Sequence, residues 1–237
     1  CRVESSGPLS PDAVRCAHRI AVRLLGLGSR LDPTAFERRV AARPRLRRLI
    51  DGRAGLRLPR TADPFEALTW AIIGQQINLS FAAALRRALI ELCGAPAGGG
   101  FRAHPDADAV ARLDYGDLTA RRFSRRKAEY LIDAARLVAS GALPIARLSD
   151  GSASRLERRL LEVRGVGPWT AQYVMLRGCG LADCVPVGDS GLTEALRRFF
   201  ELPARPDRER TLELMRPFAP YRSLATAHFW AMLASSG

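Results

Sequence analysis

Residues 161 to 189 read LEVRGVGPWTAQYVMLRGCGLADCVPVGD, and this stretch decides the fold. Upstream of the turn, Arg155 to Val163 carries Leu156, Leu160, Leu161 and Val163 at helical spacing. Arg164-Gly165-Val166-Gly167-Pro168 interrupts that helix. Two glycines around one apolar residue let the backbone take φ > 0 on either side of Val166. Pro168 suits the first position of a new helix, where no N–H is needed. The second helix runs on through Trp169, Tyr173, Val174 and Leu176 and stops near Gly178 or Gly180. Such a turn points the N–H groups of Gly165, Gly167 and the next helix start outward. That makes an anion site without a cationic side chain, and a nucleic-acid phosphate fits it. Pro186-Val187-Gly188-Asp189 then forms a stiff apolar loop ending in a carboxylate just before another helix.

Outward from this stretch the chain reads as helix after helix. Ser10-Pro11-Asp12 opens the first, with an apolar stripe of Val14, Ile20, Ala21, Leu24 and Leu25, and Gly26 and Gly28 close it. Asp32-Pro33 and Pro44 open two short ones. Asp63-Pro64 is a cap followed by a first-turn proline. The helix after it, about 64 to 74, is almost wholly apolar and reads as the central buried one. Gln75-Gln76-Ile77-Asn78 breaks it, and another helix follows to about 93. Gly94 to Gly100, rich in glycine, reads as the most flexible loop. Helices near 105–113 and 116–121, one capped by Ser124, and three after Asp189 complete the chain. No sustained alternation of period two and no long repeat occurs, so the class is all-α.

The hairpin and the loop ending in Asp189 resemble those of the helix-hairpin-helix DNA glycosylases, the HhH-GPD superfamily. The likeness extends to Leu56–Pro59, Asp63–Leu68, Ile72–Ile77, Trp169–Tyr173 and His228-Phe229-Trp230. These segments are similar to the alkylated-base branch, the 3-methyladenine DNA glycosylase II type, over roughly residues 30 to 233. The resemblance implies two helical lobes with the DNA site in the cleft between them. The second lobe would span about 78 to 182, and the first would draw on both ends of the chain. Residues 1 to 30 are then expected as an N-terminal segment and first helix, a remnant of the β-rich domain that this branch usually carries. Residues 31 to 237 are expected as the glycosylase domain.

The chemistry implied is base excision. A glycosylase cuts the bond between sugar C1′ and a base, and a carboxylate can stabilise the oxocarbenium character of the sugar and orient the attacking water. Asp189 is the candidate; its structural alternative is the N-cap of the helix starting at Ser190. The resemblance places Trp169, Tyr173 and Trp230 around the flipped base, where aromatic faces attract a cationic alkylated purine; packing in the core is the plain alternative. Ser190 replaces the family's aromatic residue after the Asp. Gln76 is the candidate wedge that fills the gap left by the extruded base. Arg164, Gly165, Val166, Gly167 and Thr170 are the expected DNA-binding residues of the hairpin. Its carbonyls can hold a monovalent cation in the family; no catalytic metal is expected.

Bifunctional relatives attack the sugar with a lysine two residues after the second hairpin glycine, and that position is Trp169 here. The expected enzyme is therefore monofunctional, releasing 3-methyladenine or 7-methylguanine from duplex DNA. A non-catalytic DNA-binding module, or a glycosylase for deaminated or oxidised bases, are the rival readings.

The net charge of +13 fits a polyanionic partner. It fits a compositional arginine bias equally, since 36 of the 37 basic residues are Arg and only Lys127 is Lys. Arg121, Arg122, Arg125 and Arg126 make a basic run that can be a solvated face or a phosphate contact. His18, His104 and His228 are scattered, with His228 expected to be structural. Cysteines at 1, 16, 93, 179 and 184 form no close-set framework, and none follows Cys184, so neither disulfides nor an iron–sulfur cluster are expected. No apolar run is long enough for a membrane span. A cofactor-free cytoplasmic monomer associated with the bacterial nucleoid is the resulting expectation.

Overall fold

The computed structural model describes residues 7–27 and 31–235. Residues 1–6 of the expected N-terminal segment lie outside these residues, as does the expected helix stop at Gly28. The described elements are helices α1 (Pro11–Leu24), α2 (Pro33–Ala41), α3 (Pro44–Arg47), α4 (Pro64–Gly74), α5 (Leu79–Cys93), α6 (Ala107–Ala111), α7 (Tyr115–Thr119), α8 (Arg125–Ala139), α9 (Ile145–Leu148), α10 (Ala153–Leu161), α11 (Pro168–Tyr173), α12 (Ser190–Phe199), α13 (Arg208–Met215) and α14 (Arg222–Ala234). Among the described residues the one strand-like pairing is an isolated bridge between Pro96 and Arg102. It belongs to the glycine-rich segment, which is a closed turn rather than a loose loop. Ala97 N–H donates to Phe101 O, Ala103 N–H to Ala95 O, and the Arg102 guanidinium to Gly94 O.

Local chemistry starts these helices where the sequence places them. Ser10, Asp32, Asp63, Asn78, Asp106, Ser124, Asp189 and Asp207 each accept a backbone N–H of the first turn, and proline opens α1, α2, α3, α4 and α11. At α4 the cap is reciprocal: Glu66 N–H donates to Asp63, and Ala62 N–H donates to the Glu66 carboxylate. Arg86 pairs with the same buried carboxylate.

α4 is the buried axis. Phe65, Ala67, Leu68, Ala71, Ile72 and Ile73 are all in the core. Its partners are α5, α8 and the hairpin helix α11 with its continuation. α4, just before the expected lobe boundary near residue 78, packs on α5, α8 and α11 beyond it. The hairpin helix does not stay α-helical to its end. Val174–Cys179 is a π-helical turn that closes at Gly180, φ +72°. Its carbonyls are drawn outward: Gly178 O accepts from Arg23 and Arg60, Cys179 O from Arg60, and Arg177 O from Thr61 N–H. A Cβ on Gly178 would stand 2.9 Å from Ala67 Cβ and 3.1 Å from Pro64 Cα, so α4 crosses the π turn at contact distance.

The helices from both ends of the chain make the other packing group. Phe36, Phe199, Phe218 and Phe229 stack there, with Phe199–Phe229 and Phe218–Phe229 centroids at 5.4 and 5.6 Å. His228 is fully buried against Phe36, 5.1 Å between centroids, and burial pushes its pKa down to about 4, so it is a neutral packing residue. The core runs unbroken from Leu31 to Phe229.

Candidate active site between the hairpin and the Asp189 loop

The hairpin turn is built to show its backbone. Gly165 sits at φ +86°, and a Cβ there would stand 2.3 Å from the Tyr130 ring, so only glycine fits. Gly167 takes φ −95°, ψ 179°, an extended N-cap with nothing within 4 Å of a Cβ position. The expected left-handed backbone on both sides of Val166 therefore holds at Gly165 alone. The N–H groups of Gly165 and Gly167 donate to nothing among the described residues, while Val166 N–H closes the turn onto Val163 O.

The side chains of the turn serve its own packing. Val166 is buried, and Thr170 is buried with its hydroxyl accepting from Gln75 Nε2 at 3.0 Å. Arg164 pairs with Glu129 at 2.9 Å and lies over Tyr130. Of the expected DNA-binding residues of the turn, Gly165 and Gly167 thus present free peptide N–H groups, while the Arg164, Val166 and Thr170 side chains make contacts within the protein. The hairpin carbonyls of Val163 and Gly165, candidates for a monovalent cation, already accept from Val166 N–H and from Gln75 Nε2 at 2.8 Å. Among the described residues, no three His, Cys, Asp or Glu gather as metal ligands.

The second loop is built to show a side chain. Asp189 N–H donates to Pro186 O, and Gly188 sits at φ +87°. Asp189 is the N-cap of α12 and more than that. Its Oδ1 accepts from Leu192 N–H at 2.8 Å and Trp230 Nε1 at 2.9 Å, and its Oδ2 accepts from Trp169 Nε1 at 3.1 Å. A carboxylate offers about four lone-pair sites; with three filled by fixed donors, the remainder is free for a ligand. Gly191, which the sequence reading passed over, leaves the room: a Cβ there would press on Oδ1 at 3.2 Å and on the Trp230 ring at 3.3 Å.

Trp169, Tyr173 and Trp230 form a row, with centroids 5.5 and 6.4 Å apart. A cavity of about 560 Å³ is lined by Gly74, Gln75, Gln76, Ile77, Asn78, Trp169, Gly188, Asp189 and Ser190. Tyr173 and Trp230 are absent from that lining. Trp230 anchors the carboxylate, and Tyr173 lies between the two indoles, with burial raising its phenol pKa. A neighbouring cavity of about 550 Å³ shares Gln75, Gln76 and Trp169 and runs along Gly165–Thr170 to Arg126 and Lys127. The two make one cleft with Gln76, exposed at φ +56°, at their junction. Of the basic run only Arg126 lines it; Arg125 pairs with Glu129, and Arg122 lies over Phe81.

Lys127 is the residue the sequence left unassigned. Its ammonium donates to Ile72 O at 3.2 Å, Ile73 O at 2.7 Å and Gln75 O at 2.6 Å, closing the C-terminal end of α4. Burial lowers its pKa. A larger groove, about 1280 Å³, lies between α2–α3 and the end of α12. It is rich in arginine, with Glu201 its lone carboxylate, and it lacks the clamped carboxylate of the cleft.

Comparison with known proteins identifies the family. Residues 69–220 match the family model described as HhH-GPD superfamily base excision DNA repair protein. The chain is 34% identical over 205 residues to a DNA-3-methyladenine glycosylase of Bacillus subtilis, covering 85% of this chain and 68% of that protein. It is 34% identical over 182 residues to a putative DNA-3-methyladenine glycosylase of the same organism, covering 77% of this chain and 63% of that one. It thus spans about two thirds of the length of these relatives. The solved 3-methyladenine DNA-glycosylase of Archaeoglobus fulgidus shares the fold, with a TM-score of 0.84 at 22% identity over 97% of this chain and 78% of the other.

Proposed function

The chain belongs to the HhH-GPD superfamily of base excision DNA repair proteins, and from that premise we propose that it is a monofunctional DNA glycosylase releasing alkylated bases, of the 3-methyladenine and 7-methylguanine type, from duplex DNA. The observation that carries this reading is the Asp189 carboxylate, clamped by two indole N–H groups and a helix N-terminus on the wall of a cleft. A module that only binds DNA has no use for a charge held this way.

The steps follow from the groups present. Phosphates on the hairpin side take the N–H groups of Gly165 and Gly167. A damaged nucleotide turns out of the stack, and Gln76 enters the gap. The base rests against Trp169, whose electron-rich face favours a cationic alkylated purine over a neutral deaminated or oxidised base. Such a base is already a good leaving group, so no strong general acid is required. As the N-glycosidic bond lengthens, charge develops on the sugar beside Asp189, which is fixed before the reaction starts. The same carboxylate takes a proton from water as it adds to C1′. In this reading the enzyme works as a monomer on genomic DNA in the bacterial cytoplasm.

No Schiff base forms in this scheme. The only lysine is Lys127, whose ammonium is spent on three carbonyls. Incubating the protein with methylated duplex DNA should release free alkylated purines and leave an abasic strand that breaks only on alkali treatment. Release of uracil or 8-oxoguanine in place of alkylated bases moves the reading to the rival substrate class, and no release at all leaves the binding module. Borohydride added during turnover should trap no covalent protein–DNA adduct.

A further inference from the structure

In a chain with 36 arginines and one lysine, the lysine stands where arginine cannot serve. A guanidinium spreads its donors in one plane, whereas an ammonium is compact and carries three donors around a point. Lys127 uses that shape: Ile72 O, Ile73 O and Gln75 O converge on its Nζ within 3.2 Å, with no carboxylate among its partners.

The third of these carbonyls belongs to an unusual turn. Gln75 has φ −58°, ψ 125°, and Gln76 follows at φ +56°. These are the angles of a type II turn, whose second central position normally takes glycine. The type I alternative turns the Gln75–Gln76 peptide over by about 180° and returns the second residue to φ near −90°. In that state Gln75 O no longer faces Lys127. The two glutamines also divide their tasks. Gln75 Nε2 donates to Gly165 O and Thr170 Oγ1, tying the turn to the hairpin, while the Gln76 side chain is exposed where the two cavities of the cleft meet.

We propose that Lys127 is a positioning residue for base extrusion, holding the Gln75–Gln76 peptide in the orientation that keeps Gln76 at the junction of the cleft. The proposal rests on the glycosylase reading for its chemical readout, and on DNA binding alone for its optical one.

The test compares Lys127→Met, Gln76→Ala and the double variant on two duplexes, one with the alkylated purine opposite its normal partner and one with it opposite a mismatch. Extrusion from a mismatch costs less, so a wedge matters less there. Single-turnover release by Lys127→Met should fall about tenfold or more on the matched duplex and by less than about threefold on the mismatched one. The double variant should be no slower than Gln76→Ala, because the two act as one unit. Equal losses on both duplexes, or losses that multiply in the double variant, overturn the proposal and leave Lys127 a helix cap.

Should Lys127→Met fail to fold, Lys127→Arg keeps the charge without the three-way fit and should show the same pattern in weaker form. If the natural protein releases no base, the glycosylase reading fails. The proposal is then judged on 2-aminopurine placed at the target site, whose fluorescence rises on extrusion. A rise with the natural protein that Lys127→Met loses upholds it. A rise that the variant keeps, or none with the natural protein, ends it.

Discussion

The hairpin and the Asp189 loop each bend at a glycine in the left-handed region, Gly165 at φ +86° and Gly188 at φ +87°, yet they face the cleft with opposite groups. The hairpin buries Val166 and Thr170, pairs Arg164 with Glu129 and leaves peptide N–H donors. The Asp189 loop turns its peptide groups inward, with Asp189 O accepting from Thr193 and Asp189 N–H bonded to Pro186, and leaves a carboxylate acceptor. One turn suits an anion that is always there, the phosphate. The other suits a cation that exists only at the transition state. A polyanion would be repelled by a free carboxylate; here three N–H donors surround that carboxylate.

Four outcomes break or sharpen this division. The largest is expected for Asp189→Asn. It keeps the N-cap but removes the charge, and base release should fall at least about 10²- to 10³-fold in single-turnover assays while duplex affinity holds. Near-normal release by the Asn variant removes Asp189 from the chemistry. Next, Gly165→Ala forces a Cβ into Tyr130 and should weaken damaged and undamaged duplex alike, by about tenfold or more, whereas Gly167→Ala, with open space around it, should do little. If only damaged duplex were affected, the hairpin would be reading the base.

Smaller effects come from the clamp. Trp230→Phe removes one donor to a charged acceptor, worth about 1.5–3 kcal/mol. It should slow release by about tenfold or more without changing duplex binding. A fall in binding instead would give the indole to the base pocket.

The smallest effect is on stability, on the side of the Asp189 loop. His228 lies in α14 two residues before Trp230, and its folded pKa of about 4 is below the ordinary 6.5. Above 6.5 neither state is charged. As pH falls through 6.5 the unfolded chain takes a proton that the folded one refuses, so stability is lost between 6.5 and about 4. From pH 7 to 5 that amounts to about 2 kcal/mol, a few degrees in Tm, read by thermal melts against His228→Phe. Burial lowers the His104 pKa too, so part of the acid loss should remain in that variant.

The parts of this site that the sequence reveals are those fixed by neighbours in the chain. The caps at Asp63, Ser124 and Asp189, the prolines opening α4 and α11, and the hairpin itself obey rules of a few residues' range. What it hides depends on distant groups. Tyr130, thirty-odd residues earlier, closes the space beside Gly165, and Arg23, Arg60 and Thr61 take the carbonyls of the π turn at the end of the hairpin helix. The Gln75 tether and the Lys127 clamp span 90 and 52 residues of chain. Their one visible trace is that a lone lysine survives among so many arginines. The aromatic row was legible as a set; that Trp169 lines the cavity while Trp230 grips the carboxylate was not.

The protein has three tryptophans. Two donate to Asp189, and the third, Trp70, lies beneath the Arg86 guanidinium. Selectively excited indole emission therefore reports chiefly on the surroundings of Asp189, to which two of the three indoles donate. Protein and unlabelled DNA alone form an optical assay: a base entering against Trp169 quenches the signal, while a duplex held only at the hairpin alters it less. The rate at which emission changes after mixing separates arrival of DNA from arrival of the base.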